Sequence, residues 1–172
     1  MSRAERLRLL FAVLLVVLAL DQATKLLARK HLAYEPGRSY LGGIARLEYA
    51  ENRGAFLSLG ADLPAGWREG ILSGLNVLLV VGLAYYLVRG RDLSRWPTFA
   101  LALLISGGLG NLIDRLLRGG VVIDFMIVGI GPVRTGVFNV ADLCLTTGAI
   151  LFAFTGTAST PKEEQEPEAE PQ

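Results

Sequence analysis

Four aspartates of this 172-residue chain stand where a charge is costly. Asp21, Asp114, Asp124 and Asp142 each lie inside or beside a strongly apolar run. Ionisable groups in such runs are rare and mark functional sites by default. Asp142 is the most isolated, because Phe138-Asn139-Val140-Ala141-Asp142 opens an apolar stretch with no basic residue within four positions of the carboxyl. Burial without a counter-charge disfavours its ionised form, unless another group supports it. A second carboxyl at close range would let the pair share one proton. The charged member can then deprotonate a water while the protonated member donates to a carbonyl oxygen as charge develops there. Such a pair hydrolyses an amide without metal or covalent intermediate. Two residues could partner Asp142: Asp124, in Gly119-Gly120-Val121-Val122-Ile123-Asp124-Phe125, and Asp114, in Gly107-Gly108-Leu109-Gly110-Asn111-Leu112-Ile113-Asp114-Arg115. Depth in the sequence does not separate them. The plainer alternatives are a helix N-cap for Asp142 and a surface loop for Asp124.

Rival chemistries are poorly supplied. One histidine, His31, and one cysteine, Cys144, make a metal site improbable and exclude an internal disulfide. There is no Gly-x-Ser-x-Gly elbow, His-Glu-x-x-His or phosphate loop. A net charge of +1 gives no field to hold nucleic acid. Hydrophobic residues make up 52% and charged residues only 19%, with a mean hydropathy of +0.44. Soluble domains carry about 25% charge, so the chain reads as a membrane protein.

The elements that must position these acids are therefore spans. Four segments have the required length of roughly 20 residues: about 7–27, 70–88, 97–117 and 137–154. The first has a basic start but no small-residue cleavage site, and is expected to remain as an anchor. Arg3, Arg6 and Arg8, and then Arg89, Arg91 and Arg95, put both termini on the cytoplasmic side. Residues 28–69 and 118–136 then lie outside, the former with β-like pieces such as Leu47-Glu48-Tyr49 that suggest a small cradle. Residues 1–158 form one membrane domain. Residues 159–172, with five Glu and three Pro, form a disordered acidic tail. The fold class is membrane all-α, four transmembrane helices with a small extracytoplasmic β-like region.

Other polar residues gather at the same level. Asp21 and Lys25 share a face at i and i+4, either as a self-neutralising pair with Lys25 reaching outward or as support for a site. Asn111, Asp114 and Arg115 share another face, and Asn139 lies one turn before Asp142. An ion-coupled transporter would instead place its acids near the midplane, with an internal repeat. A non-catalytic subunit leaves Asp142 without a role.

Five pieces in order resemble the prolipoprotein signal peptidases of bacteria, a family of aspartic membrane proteases. They are Asp21-Gln22-x-x-Lys25, Asn52-Arg53-Gly54-Ala55-Phe56, the 107–115 run, Val122-Ile123-Asp124-Phe125 and Phe138-Asn139-Val140-Ala141-Asp142. The resemblance covers most of the chain. It implies an endopeptidase of the bacterial inner membrane, multi-pass, with its site near the extracytoplasmic face. It implies cleavage of diacylglyceryl-modified prolipoproteins just before the lipidated cysteine, amid membrane lipids, without cofactor, metal, nucleic acid or obligate protein partner. It selects Asp124 as the partner of Asp142 and makes Asp114 with Arg115 a supporting pair. Asp21, Lys25, Asn52, Gly54, Asn111, Asn139 and Ala141 become supporting or substrate-binding residues. The sequence departs from the family in two places. Gly54-Ala55-Phe56-Leu57 is one alanine short of the usual Gly-Ala-Ala-Phe, and the stretch from Arg115 to Asp124 is one residue longer. Phe56 and Leu57 are expected to point down over a bound substrate.

Overall fold

The computed structural model describes residues 1–54, 64–90 and 93–155, with four helices and a four-stranded sheet. Phe56, Leu57, Arg91 and the acidic tail lie outside the described residues. Helix α1 spans Arg3–Leu32, longer at both ends than its apolar stretch. It starts at a capping box, in which Ser2 Oγ accepts from the Glu5 amide and Glu5 accepts from the Ser2 amide. Helix α2 spans Ala65–Arg89, α3 Arg95–Leu117 and α4 Val140–Thr155. The first three are long and apolar enough to cross a membrane, and α4 is a shorter apolar helix. Leu75, Leu78, Val81 and Tyr85 of α2 form an exposed stripe at helical spacing, which suits a lipid-facing surface.

Helix α3 is central and packs against the other three. Its core clusters Leu101, Ala102 and Ile105 with Leu10, Val13 and Val17 of α1 and Val80 and Leu87 of α2. Glycine brings α4 close. A Cβ built on Gly107 would stand 2.5 Å from the Ala141 carbonyl, and one on Gly148 2.9 Å from the Ala100 carbonyl. Small residues thus allow backbone-to-backbone packing of α3 on α4. The 107–110 glycines lie within α3 and face the other helices. Asn76, the one strongly polar residue in the middle of α2, donates to the Gly108 carbonyl at 3.0 Å. At the opposite end from the sheet, buried Arg6 donates to the Leu87 carbonyl at 2.9 Å and so caps the end of α2.

The sheet is more regular than a loop cradle. Strands β1 (Arg38–Tyr40), β2 (Ala45–Asn52), β3 (Val122–Ile130) and β4 (Val133–Arg134) run antiparallel in that order. A single 3-10 turn, Leu41–Gly43, joins β1 to β2. Phe125 packs on Ala28 and Leu32, which fixes the sheet to the end of α1. Asp124 is therefore a strand residue, where the sequence suggested an outer loop.

Candidate active site

The site is built at the start of α4. That helix begins at Val140, about three residues later than its hydropathy suggests, because Asn139 caps it. Asn139 Oδ1 accepts from the Asp142 amide at 2.9 Å, and Asp142 Oδ2 accepts from the Asn139 amide at 3.2 Å. This reciprocal pair is a capping box with Asp142 in the first turn. Asp142 thus lies at the mouth of the helix, not well down its axis, and the N-cap alternative lands on Asn139 instead.

The same asparagine reaches the second carboxylate. Asn139 Nδ2 donates to Asp124 Oδ1 at 2.6 Å and also lies 3.3 Å from the Ile123 carbonyl. Strand pairing of β2 with β3 sets Asn52 opposite Val122, on the Asp124 side of the sheet, and Asn52 Nδ2 donates to Asp124 Oδ2 at 2.9 Å. Asp124 is 1% exposed. Burial pushes its carboxyl up to about 6, assisted by the nearby Asp142 charge, while the Asn52 and Asn139 hydrogen bonds pull the other way.

Beneath the pair lies a buried ion network. The Lys25 ammonium is fully buried and does not reach outward. It contacts Asp21 Oδ2 at 2.8 Å, Asp114 Oδ2 at 3.0 Å and Asn111 Oδ1 at 3.1 Å, which uses all three of its protons. An ammonium only donates, so Asn111 must present its oxygen to Lys25. Its Nδ2 then faces Asp142 Oδ1, at 2.7 Å. Asn111 Oδ1 also accepts from Asn139 Nδ2 at 3.1 Å. One amide at each carboxylate, Asn111 at Asp142 and Asn139 at Asp124, is thereby oriented from one buried cation. Asp114 further accepts the Ile123 amide at 3.1 Å, tying the network to the strand that carries Asp124. Asp21 accepts the Ala141 amide at 3.0 Å, tying it to α4.

The expected Asp114–Arg115 pair does not form. Asp114 pairs instead with Lys25 and with Arg118, one turn on at i+4. Neighbouring helical positions point about 100° apart, so Arg115 leaves that face. Its Nε is buried without a hydrogen-bond partner among the described residues. Its guanidinium lies against Gly54, where a Cβ would stand 3.5 Å from Arg115 Nη2 and 2.8 Å from Leu72. Gly54 has φ +76°, a conformation that favours glycine, and its amide donates to Asn52 Oδ1 at 2.8 Å. That turn orients the Asn52 amide toward Asp124. Two contributors were absent from the sequence reading of the site. Arg118 was signalled by its i+4 spacing from Asp114. Gln22 reaches across from α1 to donate to Asp114 Oδ1 at 3.0 Å and Asp21 Oδ2 at 3.1 Å, and only the fold reveals that reach. Among the described residues, no three His, Cys, Asp or Glu side chains are grouped to hold a metal ion.

Comparison with known proteins adds an independent line. Residues 13–157 match the family model described as Signal peptidase (SPase) II. The lipoprotein signal peptidase of Streptococcus pyogenes serotype M6 is 38% identical over 84% of this chain and 90% of its own length. That of serotype M3 is 40% identical over the same shares. Two solved structures, both described as bacterial membrane enzymes, superpose with TM-scores of 0.75 and 0.76 at 24% and 25% identity. They cover 88% and 91% of this chain, and 94% and 93% of their own.

Proposed function

The chain belongs to the signal peptidase II family of membrane proteases, and on that premise we infer that Asp124 and Asp142 are its catalytic pair. As a member of that family it removes signal peptides from prolipoproteins. The observation that carries the pair is the shared asparagine: one residue hydrogen-bonds both carboxylates, Asp124 through its side chain and Asp142 through its backbone amide.

The two carboxyls stand in different surroundings, which divides their tasks. Asp142 sits at a helix N-terminus, where the dipole favours an anion, and it receives the Asn111 and Asn139 N–H groups. It is the base. Asp124 is buried and holds the proton. Asp142 takes a proton from water as the water oxygen attacks the scissile carbonyl carbon. The carbonyl oxygen takes the Asp124 proton, giving a tetrahedral diol. As the C–N bond breaks, Asp142 returns its proton to the leaving amine and a diol hydroxyl returns one to Asp124. Both carboxyls end as they began.

The substrate proposed is a prolipoprotein cut just before a diacylglyceryl-modified cysteine. Its acyl chains stay in the bilayer, each buried CH₂ contributing about 0.8 kcal/mol, and fix the height of the peptide against the pair. Precursor peptides identical except for the diacylglycerol test this. Loss of the lipid should lower kcat/KM on the order of a hundredfold or more. Equal values would reduce the reading to a general intramembrane aspartic protease.

The sheet side is proposed as extracytoplasmic, with both termini cytoplasmic and the protein in the bacterial cell membrane. The Arg-dense segments around 3–8 and 89–95 support this orientation. In a Cys144→Ser background, an impermeant maleimide added to intact cells should label Ser39→Cys on β1 and spare Ser94→Cys before α3. The opposite pattern would invert the topology.

A further inference from the structure

Two arginines near the site make no ion pair among the described residues, and both line one cavity on the face of the sheet away from Asp124. Glu51 alternates with Ala50 and Asn52 at the end of β2, so it faces away from Asp124. There, a cavity of about 280 Å³ is lined by Arg29, Tyr49, Glu51, Arg53, Leu117 and Arg118, together with two apolar residues of the β3 region. Among the described residues the Arg29 and Arg53 side chains make no ion pair and no hydrogen bond. Arg118 gives one nitrogen to Asp114 and makes no other ion pair or side-chain hydrogen bond among the described residues. Glu51, the one acid in the wall among the described residues, accepts from the Tyr49 hydroxyl at 3.1 Å. Three guanidiniums thus face one carboxylate.

The surface next to this cavity is apolar. Leu26 lies one turn before Arg29 on α1 and is 56% exposed, and Leu117 beside Arg118 is 76% exposed. Both belong to the ends of helices that are apolar enough to span a membrane. A cationic cavity above a leucine seam has the outline of a phosphate headgroup above its acyl chains. Guanidinium forks match phosphate oxygens in geometry, and arginines at a bilayer surface attract anionic lipid.

We propose that this cavity binds the phosphodiester of an anionic glycerophospholipid from the leaflet on the sheet side, with its acyl chains along Leu26 and Leu117. The bound phosphate and Asp114 then share Arg118, so the lipid sits one guanidinium away from the ion network beneath the catalytic pair. A phospholipid here is distinct from the substrate's own diacylglycerol, which carries no phosphate.

The test is native mass spectrometry of the full chain released from bilayers of phosphatidylglycerol mixed with phosphatidylcholine. The wild-type protein should retain one phosphatidylglycerol in preference to phosphatidylcholine. Arg29→Gln with Arg53→Gln should lower that retention about thirtyfold, the factor for two arginines at an anionic surface. Arg53→Gln alone, at an exposed side chain without a partner among the described residues, should lower it about fivefold. Arg38→Gln, an exposed arginine on β1, should leave it unchanged. Retention unaffected by the double change would overturn the proposal. Equal loss in Arg38→Gln would replace the site with diffuse positive charge. Displacement of the lipid by millimolar inorganic phosphate would make it a site for free anions, and displacement by an acidic peptide would assign it to protein substrate; either result overturns the lipid assignment.

Discussion

Asp124→Asn and Asp142→Asn should each lower cleavage of a diacylated precursor by about a thousandfold or more while the protein stays folded and inserted. General acid and base tasks are worth roughly 10²–10⁴ each, and a pair that acts as one unit loses nearly everything with either member. The double variant should therefore be little worse than either single one. Asparagine at position 142 can still accept the Asn139 amide, so the start of α4 survives the change. Turnover within tenfold of wild type by either variant would remove that residue from the chemistry. The pH profile tests the division of tasks. Asp124 is pushed up to about 6, chiefly by burial, so its acid form prevails below that value and is lost as pH rises through it. On this assignment kcat/KM should fall on the alkaline side of about 6, a limb that belongs to the coupled pair. Asn52 stabilises the ionised form by its hydrogen bond. Asn52→Ala should move the limb to higher pH, and a shift to lower pH would assign the proton elsewhere.

The second large effect is on stability. Lys25→Met should destabilise the protein by about 3–5 kcal/mol, because it leaves Asp21 and Asp114 buried without their shared ammonium. It should also cost activity out of proportion to any loss of folded protein. With Lys25 absent, only the Asn139 amide, which also serves Asp124, holds the Asn111 oxygen inward, and the Asn111 amide can turn the wrong end toward Asp142 more readily. Thermal unfolding in detergent measures the first effect, and cleavage per folded molecule the second. Adding Asp21→Asn should recover part of the stability, since the residues share one network. An unchanged melting temperature in Lys25→Met would show that the network is solvated and carries no such role.

Much of this arrangement was legible from residue types. Long apolar runs gave the helices, and the order of the five short motifs gave the family. Three details were not. Strand β3 reads Val-Ile-Asp-Phe-Met-Ile-Val, and its first four residues are buried on both faces. Such a strand shows no alternation, and periodicity cannot tell it from the edge of a helix or a loop. The start of α4 was misjudged because hydropathy runs on through Val137 and Phe138, whereas a side chain at Asn139 decides where the helical hydrogen bonds begin. The partner of Asp114 was misassigned to its sequence neighbour, although a helix turns Arg115 toward Gly54 and brings Arg118 round at i+4. Proximity in sequence misled where helical geometry would have served.

The ion network also bears on how the protein is made. Each of its two acids beside Lys25 has a basic partner four residues on, Asp21 with Lys25 on α1 and Asp114 on α3 with Arg118 at that helix's C-cap. A lone charged residue costs about 2.5–3.5 kcal/mol at the middle of an inserting segment and less toward its end, where Asp114 lies. Here each segment enters the lipid during synthesis with its charge already compensated one turn away. Only afterwards, when α3 docks on α1, does Lys25 acquire Asp114 as a second carboxylate, and two independent pairs become one network. Local pairing thus offsets the cost of each charge in its own segment, while the contact that completes the network depends on the packing of α3 on α1.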